Sequence, residues 1–444
     1  DNNTGIGYKA LYANTTGADN TAVGNQALEA NTTASNNTAV GYQSLEHNTT
    51  GANNTAVGRW ALESNTTASD NSAFGYGALF NNETGTRNVA LGFATLEANT
   101  TGSYNIAIGS GALDGAAGNN ENIAIGLHAL GHGSLASTHN IGIGNSCLKS
   151  KTTGGNNVAV GHFSMQATTT GQHNTAVGDW ALGSSTTGSY NTGMGKNAID
   201  NLTTGSNNTA VGRNALTSIT NRDDGTAIGF EALKANTSGQ YNTGIGCSAL
   251  TTNTTGGWCT AIGWHALQQN TSGDYQVAVG HQALTANTTG SRNVAVGPFN
   301  LYQSTTGSYN TAVGHYVLIS NTTGEDNTAI GAYALDAATT AHGNTALGRS
   351  VLSAVTTGHS NVGVGASALR VYTGSENTAV GYHAMYNTST GGDSVAVGHK
   401  AMFSNTTGNV SVAVGDAALY SNTDGWGNIA IGYLALHDST SGDS

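Results

Sequence analysis

The sequence repeats itself every 17 residues along its length. Its recurring core is Asn-Thr-Ala-Val-Gly, found for example at residues 20–24, 37–41 and 54–58. When the Gly of each copy is numbered position 0, there are 26 copies, and 23 of the 25 intervals are 17 residues long. One interval of 18 residues follows Gly126, and one of 16 follows Gly365. A short fixed period is typical of stacked repeats rather than of ordinary domains.

The positions of the repeat are filled under strict rules. Position −2 is Ala or Gly in every copy, position −1 is always apolar, and position +4 is Leu in 22 copies. Position −4 is Asn in all but five copies, and Asn-Thr-Thr-Gly recurs near positions +7 to +10. Thr-Ala-Val alternation favours a short strand, whereas Asn and Gly favour turns. Because 17 residues are too few for a helix pair, each copy predicts one coil of strand and turn.

These features predict an all-β fold, a parallel β-solenoid (β-roll) of about 26 coils. We expect one continuous domain over residues 1–444, with no separate domain and no capping repeats. Stacking at about 4.7–4.9 Å would align like positions into columns. The Leu column at +4 and the Val/Ile column at −1 are expected to form the core. The Asn column at −4 is expected to form an amide ladder.

Positions −2 and 0 accept only Ala or Gly, which indicates that another backbone approaches this face closely. Two explanations are open. Chains could pack around a threefold axis or against another rod, which would thicken a core that has only two large apolar positions per coil. Alternatively, a narrow single-chain roll could bring its own sheets into contact.

Composition and charge exclude several classes of function. Only 9% of residues are charged, the net charge is −12, and the 13 Lys and Arg are dispersed, so a nucleic-acid partner is not expected. No apolar run is long enough for a membrane span. The three Cys suit neither a disulfide framework nor a zinc site. Carboxylates and His form no recurring pair, so we expect no catalytic residues, no metal site and no cofactor. The protein is therefore not expected to be an enzyme.

Positions +1 and +2 are the most variable and hold 14 of the 29 aromatic residues. An aromatic stripe of this kind can contact surface glycans or a neighbouring fibre; the alternative is that it only packs between coils. The candidate contact residues are Tyr42, Trp60, Tyr76, Phe93, Trp180, Phe230, Trp264, Tyr382 and Tyr433.

Asn-x-Thr/Ser sequences occur at position +7 in twelve copies. They are either N-glycosylation acceptors of a secreted protein or simply turn residues. The candidate acceptors are Asn14, Asn31, Asn48, Asn65, Asn99, Asn287, Asn321 and Asn405.

Asn-Thr-Ala-Val-Gly, and Asn-Ile-Ala-Ile-Gly at residues 122–126 and 428–432, resemble the Ser-Val-Ala-Ile-Gly core of trimeric autotransporter adhesin heads. The tandem pattern also resembles the repeats of phage tail fibres. The resemblance implies a left-handed β-roll, possibly trimeric, although adhesin-head coils are shorter. It implies a structural or adhesive fibre subunit that self-associates, as a trimer or end to end, outside the cell, on a cell surface or on a virion. Two alternatives are an ice-binding solenoid, through Thr columns at −3, +8 and +9, and a purely structural extracellular filament.

Overall fold

The structure, a computed structural model, describes residues 2–115, 117–131 and 137–441. The chain divides into two compact units, Asp1–Asp224 and Gly225–Ser444, and each is described by itself. Each unit holds thirteen strands of three residues, one per repeat, at positions −3 to −1. The described residues contain no helix, so a helix of membrane-spanning length and apolarity is not found among them.

The strands of the first unit are β1 (Thr4–Ile6), β2 (Thr21–Val23), β3 (Thr38–Val40), β4 (Thr55–Val57), β5 (Ser72–Phe74), β6 (Val89–Leu91), β7 (Ile106–Ile108), β8 (Ile123–Ile125), β9 (Ile141–Ile143), β10 (Val158–Val160), β11 (Thr175–Val177), β12 (Thr192–Met194) and β13 (Thr209–Val211). The strands of the second unit are β14 (Thr226–Ile228), β15 (Thr243–Ile245), β16 (Thr260–Ile262), β17 (Val277–Val279), β18 (Val294–Val296), β19 (Thr311–Val313), β20 (Thr328–Ile330), β21 (Thr345–Leu347), β22 (Val362–Val364), β23 (Thr378–Val380), β24 (Val395–Val397), β25 (Val412–Val414) and β26 (Ile429–Ile431).

Within each unit, every strand pairs in parallel with the strand of the next coil, and like positions face each other. Ala22 of β2 pairs with Ala39 of β3, and Ala278 of β17 pairs with Ala295 of β18. The backbone bonding continues beyond the strands: the Leu28 amide donates to the Ser44 carbonyl of the next coil at 3.1 Å. The predicted parallel β-solenoid with 17 residues per coil is therefore confirmed.

The coil closes through backbone conformations that L-residues rarely adopt. Positions −5, +2 and +4 are left-handed in nearly every coil, and the Leu, Met or Ile at +4 has a φ of 49–56°. The Gly at position 0, hereafter the anchor glycine, has a φ between 115° and 144°. Only Gly adopts that second region without strain, which explains why position 0 never varies.

The core of each coil is made by positions −2, +3 and +4. Ala22, Ala27 and Leu28 of one coil are all fully buried, and this pattern recurs in both units. The predicted amide ladder at position −4 is confirmed. The Asn20 amide nitrogen donates to the Ala34 carbonyl at 2.8 Å, while its side-chain oxygen accepts from the backbone amide of Asn37 at 2.9 Å.

The prediction that the Val/Ile column at −1 lies in the core is wrong. This column points outward; Val40 and Ile143 are 36% and 38% exposed. The interior beside the strand is too narrow for it, because a Cβ placed on Gly244 already lies 3.2 Å from Leu233 Cγ and 3.4 Å from the Ala249 carbonyl oxygen. The coil interior therefore takes Ala at −2 and leaves the larger residues outside.

Contacts within a single chain explain why positions −2 and 0 accept only small residues. Position −2 faces the interior of its own coil. At position 0, a Cβ on Gly24 would lie 2.3 Å from the carbonyl oxygen of Gly41, the anchor glycine of the next coil. This close coil-to-coil approach accounts for the small face without a second chain.

The coil with one residue fewer compensates with a large side chain. Position +7 of this coil is Tyr372, which is fully buried and donates from its hydroxyl to the Ser375 carbonyl at 2.8 Å. Its ring fills the space beside Gly374, where an added Cβ would lie 2.5 Å from the hydroxyl oxygen. The longer interval after Gly126 includes residues 132–136, which lie outside the described residues.

Two Gly-to-Ala variants distinguish the small residue at position −2 from the one at position 0. Gly244 is at position −2, in β15, and Gly246 is the anchor glycine that follows it. Gly246→Ala combines a φ of +132° with a Cβ 2.3 Å from the Gly263 carbonyl oxygen. We expect it to destabilise the second unit by at least about 2 kcal/mol. Gly244→Ala, which needs only a small shift of Leu233, should change the free energy of unfolding by less than about 1 kcal/mol. Urea denaturation measures both, and equal effects would contradict this account.

Candidate functional site

In both units, positions −3 and −1 form an outer sheet face. All 26 residues at −1 are apolar, and position −3 holds Thr in 14 copies, Val or Ile in 11 and Ser72 in one. None of these side chains is buried. Because the strands are in register, each unit presents an unbroken strip of partly or fully exposed side chains, apolar at position −1 and mostly β-branched at position −3. Exposed apolar surface of this extent is typical of interaction sites.

In the first unit, the candidate contact residues lie in stacks that join neighbouring coils. Tyr76 lies between Trp60 and Phe93, with centroids 5.2 Å from each. The Arg59 guanidinium lies 3.9 Å from the centre of the Trp60 ring and 5.4 Å from that of Tyr42. These four aromatic residues and one cation therefore form one group on successive coils.

The other candidates belong to separate stacks. Trp180, in the first unit, packs on Phe163 with centroids 4.8 Å apart. In the second unit, Trp264 stacks on His281 at 4.9 Å. Tyr382, farther along the second unit, stacks on His399 with centroids 5.7 Å apart.

Stacking between coils covers the faces of these rings and leaves their edges and hydroxyl groups to solvent. Phe230 and Tyr433 are 41% and 75% exposed. The role of the stripe in contacting glycans or a fibre stays a hypothesis. Where rings stack, a ligand would meet ring edges rather than open faces.

Two further aromatic columns were missed by the sequence reasoning. One lies at position −5 in the second unit, where Trp258 stacks between Tyr241 at 5.6 Å and Tyr275 at 5.1 Å. The other lies at position +5, where Phe403 stacks between Tyr386 at 5.3 Å and Tyr420 at 5.0 Å. The sequence signal for both columns is the recurrence of aromatic residues at the repeat period, at positions −5 and +5.

The candidate glycosylation acceptors form a second Asn ladder inside the coil. Asn31 and Asn48 are fully buried, and the Asn31 amide nitrogen donates to the Asn14 side-chain oxygen at 2.8 Å and to the Ala34 carbonyl at 3.0 Å. Asn14, in the first coil, is half-buried. Glycosylation of the folded chain would require these amides to leave the ladder. The other candidates share this position and are fully buried: Asn65, Asn99, Asn287, Asn321 and Asn405.

In the first coils of the first unit, residues at positions +2, +5 and +6 line an acidic surface pocket of about 320 Å³, with Gln26, Glu29 and Glu46 among them. Lys9 donates to Glu29 at 2.6 Å, and this hydrogen bond holds the pKa of that carboxyl below its usual value. Glu46, His47 and Glu63 bring three potential metal-ligand atoms within 4.8 Å of one another. His47 is exposed, so this group is an open surface cluster.

The cysteines are free thiols. Burial raises the pKa of Cys147 and of Cys259 to about 12, so both remain protonated at neutral pH. A protonated thiol is a poor nucleophile, and these two act as small apolar side chains.

Lys151 is the one cation placed inside a coil among the described residues. It replaces Asn at position +7, is 2% exposed, and its ammonium donates to the Gly171 carbonyl. Burial lowers the pKa of Lys151 to about 7. The ammonium form is therefore destabilised in the folded unit.

No protein-family profile matches this chain, and no curated protein matches it either.

The buried lysine predicts a pH dependence of stability in the first unit. Between pH 7 and about 10.4 the unfolded chain binds a proton at Lys151 that the folded chain has lost, so stability rises with pH across this range. We expect Lys151→Met to flatten the rise measured by urea denaturation at several pH values. The partly exposed neighbour Lys149 provides the control, because Lys149→Met should leave the rise intact. Equal pH dependence in wild type and Lys151→Met would contradict the assignment.

Proposed function

We propose that the protein is a structural or adhesive fibre subunit, of the kind found in cell-surface appendages and phage tail fibres, and that it works outside the cell or on a virion. In this role the protein catalyses no reaction and acts through the surfaces of its solenoid. The resemblance of its repeat to adhesin heads and tail fibres supports this, as does the confirmed β-solenoid. The proposal includes a left-handed coil and self-association, either as a trimer or end to end.

The observation that carries the proposal is the outer sheet face. In both units this face is apolar in every copy at position −1, and no side chain on it is buried within the chain. A soluble monomer gains nothing from exposing a continuous apolar strip, whereas a self-associating chain buries it. We therefore assign self-association, as a trimer or as a fibre, to this face.

The size of the face is sufficient for association. Three residues across and thirteen coils along give each unit a strip of about 10 by 62 Å, or about 600 Å². Two such strips in contact cover about 1,200 Å², which reaches the lower end of stable protein interfaces.

Lysine substitutions on the outer sheet face test this. Ile245→Lys with Ile262→Lys should convert an oligomer into a monomer, because each buried ammonium would lose its hydration without a partner. Thr255→Lys with Ser272→Lys, on exposed turn positions of the same coils, should leave the oligomer intact. Sedimentation velocity measures the state and circular dichroism verifies the fold. A wild-type chain that is monomeric at micromolar concentration would defeat the proposal.

Ice binding is the second candidate, and one observation favours it. Thr at position −3 lies on the outer sheet face rather than in a turn, and in runs of three or four coils, such as β1–β4 and β14–β16, it pairs in register with the Thr of the next coil. A regular array of methyl and hydroxyl groups of this kind can order water. By contrast, the hydroxyl at +8 is occupied, as Thr15 donates to the Thr32 carbonyl at 2.9 Å.

Thermal hysteresis distinguishes the two candidates. An ice-binding solenoid would depress the freezing point without depressing the melting point, and Thr243→Lys with Thr260→Lys would abolish this gap. The fibre proposal expects no gap in the wild-type protein. A measurable hysteresis in a monomeric wild type would favour ice binding instead.

A further inference from the structure

The acidic pocket of the first unit borders a cluster of three possible metal ligands. No metal site is expected from the sequence, because its carboxylates and His form no recurring pair. Stacking nevertheless brings ligands from two neighbouring coils together: Glu46 and His47 stand at positions +5 and +6 of one coil, and Glu63 stands at +5 of the next. One nitrogen or oxygen atom from each residue lies within 4.8 Å of the other two. We call these three residues the Glu-His-Glu cluster.

The spacing within the Glu-His-Glu cluster is close to that of a coordination sphere. Nδ1 of His47 lies 3.4 Å from Oε1 of Glu63. Two ligand atoms bound at about 2.0–2.2 Å in a tetrahedral site are separated by about 3.3–3.6 Å. The remaining separations, at most 4.8 Å, reach that range when the side chains shift by about 1 Å. Nδ1 also lies 3.2 Å from the Glu63 carbonyl oxygen, which holds the ring against the next coil.

The cluster belongs to a column of like charges. Glu29, Glu46 and Glu63 occupy position +5 on three successive coils, and like charges on neighbouring coils repel one another. The first of the three is neutralised, because Glu29 pairs with Lys9 at 2.6 Å. Burial raises the pKa of Glu46, and the charges of Glu63 and Glu29 raise it further. A cation bound between Glu46 and Glu63 would offset this repulsion.

Neutral donors serve the other two carboxylates. Gln26 donates to Glu46 at 3.0 Å, and Ser64 donates to Glu63 at 2.7 Å. Among the ion pairs of the described residues, none joins Glu46 or Glu63 to a Lys or Arg. The basic group beside them is His47, and an unprotonated imidazole is itself a metal ligand. The cluster therefore combines two carboxylates that lack a permanent cation with one nitrogen donor.

The acidic pocket gives a cation access and room. Glu46 and His47 both line this pocket of about 320 Å³, so the ligand atoms face a solvent-filled space. A site with three protein ligands leaves its remaining coordination positions to water. Because a water molecule takes about 30 Å³ of liquid volume, the pocket can hold these water ligands as well as the ion.

We propose that the Glu-His-Glu cluster binds a divalent transition-metal ion, with Zn²⁺ as its representative, between two neighbouring coils of the first unit. The donor set selects the class of ion: imidazole suits Zn²⁺, Ni²⁺ and Cu²⁺, whereas Mg²⁺ and Ca²⁺ prefer ligand sets made of oxygen. The bound ion joins the coil that follows β3 to the coil that follows β4. The metal site lies beyond the proposed fibre function and does not depend on it.

Calorimetric titration of the full chain with Zn²⁺, Mg²⁺ and Ca²⁺ tests the site. We expect Zn²⁺ to bind most tightly. His47→Gln should weaken the Zn²⁺ affinity at least about tenfold, because it removes the nitrogen ligand. Glu63→Gln should act in the same direction. His399→Gln is the matched control: His399 lies 2.9 Å from Asp416, and the described residues place no third ligand beside this pair, so the Zn²⁺ affinity should be unchanged.

Urea denaturation provides a second measurement on the same variants. Zn²⁺ should raise the midpoint of unfolding of the first unit in the wild type, because an ion that binds only the folded chain stabilises it. His47→Gln should remove most of this rise, and His399→Gln should preserve it. The His47 side chain is 56% exposed, so its replacement leaves no cavity, and circular dichroism verifies the fold.

Four results would overturn the proposal: no binding of Zn²⁺ by the wild type, equal losses of Zn²⁺ affinity in His47→Gln and His399→Gln, binding of Ca²⁺ as tight as that of Zn²⁺, or tighter binding of an organic diamine than of any metal ion. The third result would indicate an acidic surface that does not use the imidazole, and the fourth would assign the pocket to an organic cation. None of these measurements reports the oligomeric state, so failure of the metal site is distinguishable from failure of the fibre proposal.

Discussion

Everything in this fold depends on the direct contact of one coil with the next at the anchor glycine. At Gly75 an added Cβ would lie 2.2 Å from the carbonyl oxygen of Gly92, and the same approach recurs at most anchor glycines of both units. This contact fixes the distance at which the remaining backbone groups meet their partners. The strands, the two Asn ladders and the aromatic columns all inherit their register from it, because like positions are then superimposed.

Each coil has to overcome a conformational penalty before this stacking stabilises it. Position +4 is left-handed in every coil, at about 1–2 kcal/mol for a residue such as Leu. Position −5 is also left-handed, although Asn or Asp often stands there and tolerates it. Burial of the Leu side chain contributes about 1.5–3 kcal/mol, which roughly balances its own backbone strain. The margin therefore comes from the backbone and Asn hydrogen bonds between coils, which a single isolated coil cannot make.

The period, the parallel stacking and the amide ladder could be predicted from the sequence, because each depends on identical residues recurring at a fixed distance. Which side chains of the strand point into the coil could not be predicted. The general rule that larger apolar residues are buried places Val23 in the interior, yet Ala22 lies inside and Val23 lies outside. The reason is the width of the coil interior, which is set by the left-handed backbone at positions +2 and +4, and no composition or periodicity reveals that backbone. The stacking of the aromatic columns at −5 and +5 could not be predicted for a related reason. Whether Tyr386 and Phe403 stack depends on the direction in which a left-handed turn points its side chains.

The identity of successive coils has a consequence for how such a chain can evolve. Each coil presents one backbone surface to the coil before it and a complementary surface to the coil after it, and this pair of surfaces is the same throughout, so a segment of whole coils can be duplicated or lost by recombination without creating a mismatched junction. The repeat also tolerates a one-residue deletion when a bulky side chain such as Tyr372 fills the gap. Length is thus free to drift, while the exposed positions +1, +2 and +5 vary independently of the scaffold. The length of such a protein and its surface chemistry can therefore change through independent mutations.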